Sequence, residues 1–300
     1  MMARKTDTLV FQKISTEQTQ AHSTRQSLFL KLEKLLERPV VTFFTSFRFP
    51  VMIDDSDASM LESVLQKMDL SKGLVLVISS PGGDGLAAER IINVCKSYSG
   101  TDEFWALVPS KAKSAATMVC FGASKILLGA TSELGPIDPQ VTLREEGGLK
   151  RFSVCNIVES YRDLFGRAVK EKGNLQPYLQ QLSNYDEREI KEMQAAIELS
   201  EDIAVRALKG GMMNDISDAD IKKKIDMFLT PKKKKAHGRS ISAEEAIACG
   251  LNVENVDIKG KMWDAVYELF LRTDNFVSNR ASKCVETKDL SFVVPRPKQG

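Results

Sequence analysis

The order of segments along this 300-residue chain predicts an α/β fold with a mainly parallel sheet and flanking helices. Three observations carry that expectation. The runs LVLVIS (74–79), EFWALVP (103–109) and KILLGA (125–130) are apolar in the way of strands buried on both faces. Segments with helical period stand between them, GLAAERIINVCKSY (85–98) and SAATMVCFGAS (114–124). Strand, helix, strand, helix, strand requires crossovers between parallel neighbours.

Each further element follows from local pattern. Residues 1–22 are polar and expected to be mobile. STRQSLFLKLEKLLER (23–38) is a helix: Ser23 and Gln26 have capping-box spacing, and Leu28, Leu30, Leu32, Leu35 and Leu36 make a broad stripe. Pro39 stops it, and VVTFFTSF (40–47) has the β-branched and aromatic content of a strand. SMLESVLQKM (59–68) returns to helical period. Residues 144–175 are less regular. A long helix from about Asp186 to Lys209 stops at Gly210-Gly211, and SDADIKKKIDMFL (217–229) forms another. SAEEAIACG (242–250) repeats the capping box, Ser242 to Glu245, and KMWDAVYELFLR (261–272) is amphipathic. The tail after Asn279 is expected to be disordered at its end. The chain divides into an arm and helix (1–39), a core (40–257) and a C-terminal helix and tail (258–300). No internal repeat is visible.

Composition excludes more than it selects. Hydrophobic residues make up 43% and charged ones 27%, with a net charge of +2, too small to argue for nucleic acid. The five cysteines have neither zinc-ligand nor redox spacing, so no metal is expected, and an odd, scattered count suits a reducing interior. The N-terminus lacks the apolar core of a signal peptide, and VVTFFTSFRFPVMI is broken by Arg48 and Pro50 well short of a membrane span. A cytoplasmic protein without a membrane anchor is the expectation. No cofactor motif is present, and without an ATP-binding motif any unfolding activity would need a separate ATPase.

Three stretches have chemical meaning. SSPGGDGLAAERI (79–91) follows a buried strand and opens a helix. Its glycines let the backbone approach a ligand, as an oxyanion site requires, or merely make a tight turn. It lacks the spacing of a phosphate loop. Ser114 begins a helix just after the strand ending at Val108, at the carboxyl edge where open α/β sheets place their sites. There the Ala115 amide has no intrahelical partner; the competing reading of Ser114 is a small residue in a packed interior. Lys113 is a poor base for it, because successive side chains diverge on a helix. Asp138 stands between two prolines, able to orient an imidazole or to cap a turn. His237 is the plausible imidazole, since the other histidine, His22, lies in the polar N-terminal stretch; a loop histidine beside PKKKK can equally be just solvated. The clusters 222–224 and 232–235 read as a solvated face, or as an attraction for acidic peptides.

In order and spacing, SSPGGDGLAAERI, VPSKAKSAATMVCFGASKILLG, SELGPIDPQ and HGRSISAEEAIACGLNV resemble the Clp-protease/crotonase superfamily. The resemblance covers about residues 40–256 and is nearest to the serine dehydrogenase proteinase family, relatives of signal peptide peptidase. It implies Clp/crotonase-like stacked β-α-β units and a serine peptidase acting on peptide or unfolded protein. Ser114 would be the nucleophile, and the amides of Gly83 and Ala115 would bind the oxyanion. The base and its orienting carboxylate would be His237 and Asp138, in the chain order Ser, Asp, His. A triad is defined by geometry, so the order is permissible. Two departures stand out: Ser114-Ala115-Ala116-Thr117 replaces the family's Ser-Gly-Gly-Thr, and a lysine run precedes His237 where the family has an aromatic-proline lead-in. The archaeal members' N-terminal membrane anchor is not expected here, since residues 1–22 are polar. The superfamily also implies a homo-oligomer, with the 186–209 helix as a candidate contact. Two other functions fit the same resemblance. One is a Ser-Lys dyad like that of signal peptide peptidase, with Lys170 or Lys172 as base; the other is a binding protein that keeps the fold without hydrolysis.

Overall fold

The computed structural model describes residues 9–17, 21–48, 50–145, 148–230 and 240–296. In chain order the strands are β1 (Val40–Thr45), β2 (Leu74–Ser79), β3 (Phe104–Val108), β4 (Lys111–Ala112), β5 (Lys125–Gly129), β6 (Glu133–Leu134), β7 (Gln140–Glu145), β8 (Gly148–Ser153), β9 (Val253–Val256), β10 (Ala281–Glu286) and β11 (Ser291–Pro295). The described helices are α1 (Val10–Thr16), α2 (Ser23–Leu36), α3 (Asp55–Leu65), α4 (Gly85–Tyr98), α5 (Ala115–Phe121), α6 (Val154–Lys170), α7 (Gln176–Leu182), α8 (Glu187–Lys209), α9 (Asp218–Lys224), α10 (Asp226–Leu229), α11 (Ala243–Ala248) and α12 (Lys261–Asn279).

Seven strands form the central sheet in the order β11-β10-β1-β2-β3-β5-β9. From β1 to β9 every pairing is parallel, and each new strand is laid on the same side of the last. Winding in one direction puts successive crossover helices on one face. Accordingly Val41, Phe43, Leu76 and Ile78 pack against apolar residues of α3, α4, α5 and α8. The opposite face, with Val40, Phe44, Val75, Val77 and Leu107, would be bare. The two ends of the chain cover it: Phe29 and Leu32 of α2 and Trp263, Val266 and Leu269 of α12 complete that second core. Each such side chain, buried fully, contributes about 1.5–3 kcal/mol. Among the described residues no helix is long and apolar enough to cross a membrane.

Several sequence expectations change. Within the stretch expected to be mobile, Val10–Thr16 forms α1 with Ile14 buried. Ser23 does not cap α2; His22 occupies the cap position, and its Nε2 lies 2.6 Å from the Thr287 carbonyl, so the helix start is set by the C-terminal hairpin. The irregular stretch contains the β7–β8 hairpin and α6. What read as a tail after Asn279 supplies β10 and β11, and β10 pairs antiparallel with β1 inside the main sheet, buried throughout. The capping box at Ser242 and Glu245 forms as expected.

At the carboxyl ends of the main strands a second, short ladder forms. Ser80 bridges Ala112, β4 pairs parallel with β6, and Leu134 bridges Ile241. A separate bridge joins Ile53 to Gly83. These few pairings position the site.

Candidate functional site

Ser114 ends the turn between β4 and α5 with φ 49° and ψ −121°. A non-glycine residue there is strained, and a serine on a sharp strand-to-helix turn is what exposes a nucleophilic hydroxyl. The strain is held on two sides. Lys113 N–H donates to the Ser80 carbonyl (3.0 Å), fixing the strand before the turn. Thr117 Oγ donates to the Ala112 carbonyl (2.8 Å) and accepts from Gly135 N–H (3.1 Å), tying the first turn of α5 to the loop after β6.

The glycine pair meets this turn directly. A Cβ built on Gly82 would lie 2.7 Å from Ser114 Cβ and 2.9 Å from Ala115 N, and Gly82 has φ +91°. Only glycine fits. Ile53 N–H donates to the Gly82 carbonyl (2.8 Å), and Asp84 N–H donates to the Ile53 carbonyl (3.0 Å). The carbonyl and N–H of one trans peptide point in opposite directions, so with the Gly82 carbonyl on Ile53 the Gly83 N–H is turned away from it. Gly83 and Ser114 both line an open cleft of ≈ 950 Å³. Ala115 starts α5, where its N–H has no partner within the helix. The added methyl groups of Ala115 and Ala116 are buried in the main core rather than projecting into the cleft.

Asp138 is 2% exposed. Its loop is pinned by neighbours: Ile137 N–H donates to the Phe228 carbonyl (2.9 Å), Ser200 Oγ donates to the Ile137 carbonyl (2.7 Å), and Val154 N–H donates to the Pro139 carbonyl (3.0 Å). Burial pushes the nearby Cys155 thiol up to about 11, with the charges of Asp138 and Glu201 adding to the effect. Pro136 and Pro139 line the cleft on either side of this aspartate.

His237 and the lysines 232–235 lie outside the described residues. The chain on either side of them is anchored at the site. Phe228 holds the loop of Asp138, and Ile241 exchanges two 3.0 Å hydrogen bonds with Leu134, next to the strand that leads to Ser114. Lys170 and Lys172 are exposed at the end of α6. Lys170 lines a separate cavity with Ser160 and Asp163, and neither lysine lines the Ser114 cleft. Of the cluster 222–224, Lys222 pairs with Glu201 and Lys223 with Asp220.

Sequence reasoning set Lys113 aside as a base and missed other cleft residues. Lys113 reaches across to Glu133 (2.8 Å) and the Leu134 carbonyl (3.2 Å). Burial lowers the Lys113 ammonium; burial raises the Glu133 carboxyl, but hydrogen bonds from Lys113 and Ser240 outweigh it and hold it below the usual range. Ile53, Asp54 and Lys283 also line the cleft. Glycine pairs and a serine before small residues signal themselves; a lysine 169 residues after the serine does not.

Residues 23–159 match the family model of the ClpP-like SDH-type serine proteinases. That span holds Gly83, Ser114, Ala115 and Asp138 and ends before His237 and Lys170. An uncharacterized protein of Methanocaldococcus jannaschii is 32% identical over 103 residues, 34% of this chain and 32% of its own length. A second from the same organism is 25% identical over 111 residues, 37% of this chain and 34% of its own. The chain thus spans about a third of the length of the curated relatives it matches. Over residues 23–159, which hold the strands that build the cleft, this chain is similar to the ClpP-like proteinases, and its one-directional parallel sheet is consistent with a Clp-like fold.

Proposed function

We propose that the protein is a serine peptidase in which Ser114 is the nucleophile, His237 the general base and Asp138 the residue that orients the imidazole. The observation that carries this reading is the strained backbone of Ser114, wedged against Gly82 at the lip of a cleft it shares with Gly83. Strain of this kind persists only where the surroundings over-determine it, and it clusters at reacting groups.

In this mechanism His237 takes the Ser114 proton as Oγ bonds to the peptide carbonyl carbon. The carbonyl oxygen becomes an oxyanion held by the N–H groups of Gly83 and Ala115. Collapse breaks the C–N bond, and the leaving amine receives the proton from His237. Water then repeats the sequence on the acyl-serine. The anchoring of Phe228 beside Asp138 and of Ser240–Ile241 beside β6 supports His237 as the base. Substrate would lie extended: β7 has one edge not paired with β8, and Gln140 and Thr142 line the cleft. Exposed Leu143, Leu149, Phe165, Val169 and Leu179 on the hairpin, α6 and α7 support a homo-oligomer as part of the same reading.

Hydrolysis of fluorescein-labelled casein by single variants tests the assignment. Ser114→Ala and His237→Ala should each lower kcat by about 10³-fold or more, and Asp138→Asn by a comparable factor. Lys170→Ala and Lys172→Ala should retain wild-type rates. Loss of activity in a lysine variant with His237→Ala still active would replace the triad with a Ser-Lys dyad. A folded wild-type protein without hydrolysis would favour a binding role.

A further inference from the structure

We propose that Lys283 is a positioning residue for the oxyanion site: its ammonium, through Asp54 and Asp57, fixes the Ile53 backbone that aims the Gly83 N–H into the cleft. The inference rests on the peptidase reading above and adds to it a residue from the C-terminal hairpin.

The chain of contacts is short. Lys283 stands opposite Thr45 at the end of β1, is 7% exposed, and lines the cleft. Its Nζ lies 2.6 Å from Asp54 Oδ2 and 2.7 Å from Asp57 Oδ2. Asp57 Oδ2 also accepts from Asp54 N–H (2.8 Å), and Asp54 Oδ1 accepts from Ser56 N–H (2.9 Å), closing a capping box at the start of α3. Ile53 is the residue immediately before this box. Its N–H and carbonyl are the two partners that hold Gly82 and Asp84, so Gly83 has no freedom to turn. Any shift of Ile53 is transmitted, because a Cβ on Gly83 would lie 2.5 Å from Ile53 N.

Stability alone is a weak reason for such a cluster. One buried ammonium against two carboxylates leaves a net negative charge, and Asp57 is 1% exposed with its Oδ1 lacking a hydrogen-bond partner among the described residues. Well-packed apolar residues serve a core at least as well as buried ions do. What the ions add is direction: the hydrogen bonds from Lys283 end on the N-cap and the first turn of α3, within four residues of Ile53.

The test compares wild type, Lys283→Met and the pair variant Lys283→Met/Asp57→Asn, which preserves both the cluster's net charge and an acceptor for Asp54 N–H. Hydrolysis of labelled casein should show kcat lower by about tenfold to hundredfold in either folded variant, with KM within about twofold. Affinity for a peptidyl boronate, whose serine adduct places an oxygen in the oxyanion site, should fall by the same factor as kcat. Affinity of the uncleaved peptide, measured in the Ser114→Ala background, should not change. Equal kcat in wild type and a folded variant overturns the inference while leaving the peptidase reading intact. A parallel loss of peptide and boronate affinity overturns it too, as does failure of both variants to fold, since the cluster would then be structural. A wild-type protein that neither cleaves casein nor binds the boronate overturns the peptidase reading, and this inference with it.

Discussion

Ser114 and Gly82 constrain each other, and the contact predicts a sharp mutational asymmetry. In Gly82→Ala the left-handed backbone costs about 1–2 kcal/mol, and the new methyl group must displace Ser114 or the first turn of α5. We expect kcat to fall by about a hundredfold, since misplacing a reacting group by about 1 Å has that effect. Gly166→Ala is the control: nothing lies within 4 Å of its built Cβ on α6, and alanine should stabilise that helix by about 0.8–1 kcal/mol. Urea unfolding and casein hydrolysis check both. At this scale the sequence was informative about where the turns fall, not about which of their two readings holds. Two glycines after a buried strand and a serine before small residues marked themselves. Ile53 and Lys283 did not, because their roles come from backbone pairing and from a contact across more than 220 residues.

Elements were legible where burial followed a single period. The strands 74–79 and 125–129 and the helices α4 and α8 could be read almost to their ends. β10 could not, and the reason is chemical. All six residues of ASKCVE are buried, yet Lys283 and Glu286 make the run look polar. Each charge is neutralised by a distant partner: Lys283 by the start of α3, and Glu286 by Arg25 of α2, at 2.6 and 2.7 Å through Nε and Nη2. Arg25 and Glu286 are 1% and 0% exposed. Removing one member of a buried pair leaves an uncompensated charge, so Arg25→Met should destabilise the protein by about 3–5 kcal/mol in urea unfolding. Arg25→Met/Glu286→Met should recover most of that loss. If the single variant unfolds like wild type, the pair does not fasten α2 to the hairpin.

The whole molecule follows from one topological choice. Adding strands in one direction places α3, α4 and α5 on one face and leaves the other for the chain ends, which is why α2 and α12 lie together. The same choice brings the turns after β1, β2 and β3 side by side at one sheet edge. There they become Ile53, Gly82–Gly83 and Ser114. The alternation of elements made the nearness of the 79–91 turn and Ser114 legible; the place of Ile53 and the closing of the β1 edge by a C-terminal hairpin were not, since no local pattern marks them. The most direct measurement is mass spectrometry of the intact protein after exposure to a fluorophosphonate, followed by mapping of the modified residue. A single adduct on Ser114, absent from Ser114→Ala and from heat-unfolded protein, is the expected result. Labelling that persists in Ser114→Ala, or a folded protein that takes no label, would contradict the assignment of that serine as the nucleophile.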